Sequence, residues 1–158
     1  MNSTQQWLNK IENWSSLSKH QQIDCLEELV LNTPTMAFYT QDNNDQPCAV
    51  LRLWLDACLR LFEHYKKDNE TKALSLLHLA YAKMQFIACN SQCSLEHKRF
   101  AIAKLQPLIV IALEFCNQQI GHHWEEESHK LIEEHVQFMT ANNWNDDQGV
   151  KTKLSNTH

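Results

Sequence analysis

The sequence predicts an all-α protein, a single-domain helical bundle of five to seven mostly antiparallel helices, and three observations predict it. Only two glycines and three prolines punctuate the 158 residues. Hairpins, bulges and phosphate loops need glycine where φ is positive or the backbone approaches closely, so few tight turns can be built here. Apolar residues then recur every three or four positions over most of the chain, the helical period. Capping residues stand ahead of several of these runs. A chain of this length forms one domain by default, so residues 1–140 are assigned to the bundle. Residues 141–158 carry Asn and Lys without periodicity and read as a disordered tail.

The first helix starts after Ser3 or Thr4 and carries Trp7, Leu8, Ile11 and Trp14. Ser18, with Gln21 three residues on, has the capping-box pattern for a second helix bearing Ile23, Leu26, Leu29 and Val30. Pro34 ends it, because the residue before proline avoids the α region. Residues 32–46 break the period: an apolar cluster of Met36, Ala37, Phe38 and Tyr39, with a short helical turn, precedes a polar run.

Pro47 suits the first position of the third helix, with Asp45 or Gln46 as cap. Leu51, Trp54, Leu55, Cys58, Phe62 and Tyr65 form one stripe, widened by Val50, Leu53, Ala57 and Leu61. So wide a face makes this helix central. Asn69 caps the fourth helix, with Leu74, Leu77, Tyr81, Met84 and Ile87 on its face. Ser94 caps the fifth, which is expected to stop at Gly121 as a C′ glycine and to kink or split at Pro107. The last spans about 123–140, with Trp124, Leu131, Ile132, Val136 and Met139 opposed by glutamates. Short connectors make helices three to six an up-down bundle with the first two docked across it.

Composition narrows function mainly by exclusion. Apolar content of 43% and charged content of 21% are those of an ordinary globular chain. GxxxxGK[ST], GxGxxG and GxSxG are all missing, which removes their phosphate, dinucleotide and acyl-transfer chemistries. A net charge of −5 argues against nucleic acid as a partner. The N-terminus shows no signal-peptide pattern. The most apolar run, residues 105–113, falls short of the ~20 residues that span a bilayer and reads as buried helix, so no membrane association is expected. Six cysteines in such a chain read as reduced thiols in a cytoplasmic protein.

Three constellations carry candidate chemistry. His122, Glu126 and His129 share a helical face, where imidazole and carboxylate could ligate zinc or iron. Glu126-x-x-His129 has the spacing of di-iron carboxylate bundles, but the second Glu-x-x-His that such a site needs is missing. The plain alternative is a solvated acidic face favoured by the helix dipole. Cys89, Cys93 and His97 could contribute to a metal site with a fourth ligand, or be ordinary connector residues. Met36, Phe38 and Tyr39 form an apolar cluster suited either to docking a partner or to plugging the end of the bundle.

A glycine-poor helical chain without a catalytic constellation has mostly surfaces to offer. The expected function is therefore a non-catalytic cytoplasmic module that binds a protein partner, as an adaptor, chaperone or regulator, and requires no cofactor. The alternative is a metal-binding bundle, sensor or oxidase-like, using the His122 cluster with His64 or His78. A DNA-binding regulator comes third, because the net charge opposes it. Self-association into a homo-oligomer fits any of these.

Overall fold

The computed structural model describes residues 3–34, 38 and 48–142. Among them the chain is all-α, with six α-helices: α1 Ser3–Asn13, α2 Lys19–Leu31, α3 Ala49–Tyr65, α4 Glu70–Cys89, α5 Leu95–Asn117 and α6 His122–Asn142. A 3₁₀ turn, Trp14–Ser16, follows α1. No strand occurs among the described residues. The predicted tail, apart from its first two residues within α6, lies outside the described residues, as do Met36 and Tyr39. The chain divides into two compact units, residues 1–108 and 109–158, with the division inside α5 just after Pro107.

In the first unit α1 packs on α2, α2 on α3, and α3 on α4. The α3–α4 connector spans only residues 66–69, so the chain must reverse and the two helices form an antiparallel hairpin. α3 is the core element: Leu51, Trp54, Ala57, Cys58, Leu61 and Phe62 are buried at helical spacing. Across from them α4 buries Ala73, Leu77, Ala80, Met84 and Ile87, the small residues letting the backbones approach.

The C-terminal end of α2 is held by side chains. Its last carbonyls have no partner within the helix and must be satisfied elsewhere. The Trp7 indole donates to the Leu29 carbonyl at 2.8 Å, and the Trp54 indole to Val30 at 3.0 Å. The Thr33 hydroxyl adds a bond to Leu29 at 2.7 Å. One tryptophan from α1 and one from α3 thereby tie two helices to the end of a third. Trp7 is a core anchor, whereas Trp14 lies half-buried with the Arg60 guanidinium 5.2 Å from its ring centre.

Several boundaries differ from expectation for identifiable reasons. The Ser18 hydroxyl does not cap α2 but donates to the Gln21 side-chain oxygen at 2.9 Å. α3 begins at Ala49, after Cys48 in left-handed backbone at φ 62° and ψ 24°, while Pro47 and the expected Asp45 or Gln46 cap lie outside the described residues. Asn69 caps α4 as expected, accepting from the Lys72 amide at 3.1 Å. α5 stops at Asn117, short of Gly121, and runs through Pro107 as a continuous helix. Gly121, at φ 133°, instead leads into α6; a Cβ there would meet the His123 ring at 3.2 Å.

α5 is more apolar than the 105–113 run suggested. Its 23 residues include a window of mean hydropathy 1.5, and by length and composition it could cross a membrane. A buried core helix has the same character, and Ala101, Leu105 and Leu108 lie buried at helical spacing. In the second unit Phe115 of α5 meets Trp124 of α6 edge-on, with ring centres 5.5 Å apart at 89°.

Candidate functional site

In the first unit, Phe38 is buried rather than presented to solvent. Its ring meets Trp54 edge-on at 5.9 Å and 85°, and its carbonyl accepts from the Cys93 thiol at 3.5 Å. Lys83 of α4 brings its ammonium to 4.9 Å from the Phe38 ring centre, 5.9 Å from Trp54 and 6.0 Å from Phe86. Trp54 and Phe38 are buried walls, while Phe86, one turn along α4, is an exposed rim. Burial pushes the Lys83 amine below its ordinary range, and the buried Cys58 thiol only partly opposes this. The nest has the chemistry of a cation site, already filled by the chain's own ammonium.

Of the Cys89, Cys93 and His97 group, Cys93 and His97 are buried and Cys89 is exposed. Ser94 caps α5 by accepting the His97 amide at 3.2 Å, as its sequence position predicts. The same hydroxyl bonds the His97 ring at Nδ1, 2.6 Å away. Burial lowers the His97 pKa, with Glu96 opposing, and raises that of the Cys93 thiol. The Cys93 thiol bonds the Phe38 carbonyl and His97 bonds Ser94, each in the uncharged direction that suits a buried structural residue.

A constellation not visible in the sequence joins α2, α3 and α4. Glu27 accepts hydrogen bonds from the Tyr65 hydroxyl and from Lys72, the latter at 2.8 Å. The Lys72 ammonium also lies 4.3 Å from the Tyr65 ring centre. Burial alone would raise the Glu27 carboxyl, but the bonds from Lys72 and Tyr65 outweigh it and hold the pKa below the ordinary range. Burial and the Glu27 bond push the Tyr65 phenol up, while Glu27 and Tyr65 raise the Lys72 amine. Each group is fixed in its resting protonation state, as in a structural clasp. Separations of 38 residues and more hid it from a local reading.

α6 lies in the second unit. Its inward stripe is Trp124, Ser128 and Leu131, buried at i, i+4 and i+7. The Ser128 hydroxyl is buried beside the Cys116 thiol without a hydrogen bond of ordinary geometry. Burial raises the Cys116 thiol, which suits a core residue. His122, Glu126 and His129 face solvent; His122 is 97% exposed and pairs with Glu125 at 3.6 Å. Among the described residues no three His, Cys, Asp or Glu side chains are gathered as a metal would require. Between the acidic face and the buried stripe runs an apolar shoulder: Ile132 and Val136, 43% and 55% exposed, one turn apart.

Compared with known proteins, the chain matches no family model, no curated protein and no solved structure. Functional reading therefore rests on its own surfaces.

Proposed function

We propose that the chain is a non-catalytic helical module that binds a protein partner, as an adaptor, chaperone or regulator, through the outer side of α6. The observation carrying this reading is the Ile132–Val136 shoulder. Single exposed apolar residues are ordinary on a protein surface, but two β-branched side chains one turn apart make a continuous ridge. Such side chains are stiff at χ1 and lose little freedom when they dock. Glu126, Glu133 and His129 border the ridge on its solvent side. A partner with an apolar groove and a basic rim complements that arrangement, the helix-in-groove mode of recognition.

The test is affinity capture from the chain's own cells, comparing wild type with the Ile132→Glu/Val136→Glu double variant. Circular dichroism establishes that both are equally folded. A stoichiometric protein retained by wild type and lost by the variant supports the reading. No retained protein, or equal retention by both, contradicts it.

A further inference from the structure

We propose that the cleft between the start of α1 and the end of α2 binds a free α-amino acid with a short neutral polar side chain, held as its zwitterion. The site lies in the first unit and is independent of the α6 reading. α1 and α2 pack on one another across a link of residues 14–18, so the first turns of α1 stand beside the last turn of α2. The bond from the Trp7 indole to the Leu29 carbonyl fixes the two helices there, and both residues are 4% exposed. Beside them a cleft of about 170 Å³ remains open to solvent. Pockets for drug-sized molecules start near ~300 Å³, so this one suits a smaller molecule.

The charges on its walls name the ligand. Lys10 lines the α1 side and Glu28 the α2 side, both exposed. Neither forms an ion pair with the other or with any group among the described residues. Both charges nevertheless bear on the Cys25 thiol, in opposite directions, so they stand near one another without touching. Glu28 also occupies the last turn of α2, where the helix end carries partial negative charge and disfavours a carboxylate. An unpaired carboxylate at that end draws an ammonium, and Lys10 across the cleft draws a carboxylate. An α-amino acid carries both groups on one carbon and bridges the two walls, whereas a ligand of one sign satisfies one wall and is repelled by the other. Gln6 and Asn32 extend the lining toward the start of α1 and the end of α2. Their side-chain amides offer donors and acceptors to a hydroxyl or amide on the ligand, and the small volume excludes a long side chain.

The experiment is calorimetric titration of the full chain with L-glutamine, L-asparagine and L-serine as probes. At least one should bind saturably. For that probe, N-acetylation, which removes the ammonium, and amidation of the α-carboxyl, which removes the carboxylate, should each weaken binding about fivefold or more. Glu28→Gln should weaken the parent probe and abolish the further penalty of N-acetylation, a pattern that general loss of folding does not produce. Lys10→Gln should do the same for amidation. No saturable binding by any of the three, or binding indifferent to N-acetylation or to Glu28→Gln, would overturn the proposal.

Discussion

The Trp54 indole donates to the carbonyl of Val30 at 3.0 Å, tying the core of α3 to the last turn of α2. Trp54 is 1% exposed, so the bond and the packing are both shielded from water. Trp54→Phe retains most of the apolar area but leaves the buried Val30 carbonyl only the longer Thr33 hydroxyl contact at 3.3 Å, costing about 1–3 kcal/mol. Trp7→Phe removes one of two bonds to the Leu29 carbonyl, which keeps the Thr33 hydroxyl at 2.7 Å, and should cost less, about 0.5–1.5 kcal/mol. Urea denaturation of each variant measures the loss. Both share one helix end, so the double variant should depart from additivity.

Phe38 is held by its ring on Trp54 of α3 and by its carbonyl, which accepts from the Cys93 thiol. Truncation to alanine removes a fully buried ring and should cost about 3–5 kcal/mol in chemical denaturation. A cost below about 1 kcal/mol would mean that Phe38 is dispensable to the core.

The Glu27 clasp sets a sign for acid stability. Its carboxyl is held below the ordinary value, so its contribution is complete above about pH 4.3 and is lost as pH falls through the folded-state value. Lys72 is 40% exposed and Glu27 27%, and solvent screening limits the loss in Glu27→Gln to about 1 kcal/mol at neutral pH. The variant's deficit should shrink on acidification, read as converging melting temperatures near pH 3.

His97 contributes in the same direction at higher pH. Its folded-state pKa lies below the ordinary histidine value of about 6.5, so stability is complete above that value and falls as pH drops from it. His135, also lowered by burial, adds a parallel contribution, and comparison with His97→Asn isolates the His97 part. The variant should be less stable at pH 8 yet show a shallower decline from pH 7 to 5. An unchanged slope would contradict the account.

Much of this architecture is legible in the sequence because it depends on local physics. Asn69 and Ser94 cap the helices their positions predict, since capping needs only a side-chain oxygen within three residues of an amide. The apolar stripe of α3 matches its buried face because a 3.6-residue period fixes which residues lie together. Features set by distant partners were hidden. Gly121 looks like a stop signal for α5, but its positive φ serves the entry to α6. Ser18 and Gln21 have capping-box spacing, yet their side chains bond each other. On α6 the period places Ile132 and Val136 beside Leu131 without revealing that only Leu131 is covered. The His122, Glu126 and His129 spacing is present as read, but spacing along one helix cannot say whether another element brings further ligands.

The most direct test of partner binding places a photo-crosslinking residue at position 136 of the full chain, with position 133 as the control. Irradiation in the chain's own cells should give one discrete heavier species from position 136, identified by mass spectrometry as a different protein, and little from position 133. Crosslinks only to a second copy of the chain, or the same scattered products from both positions, would contradict the account.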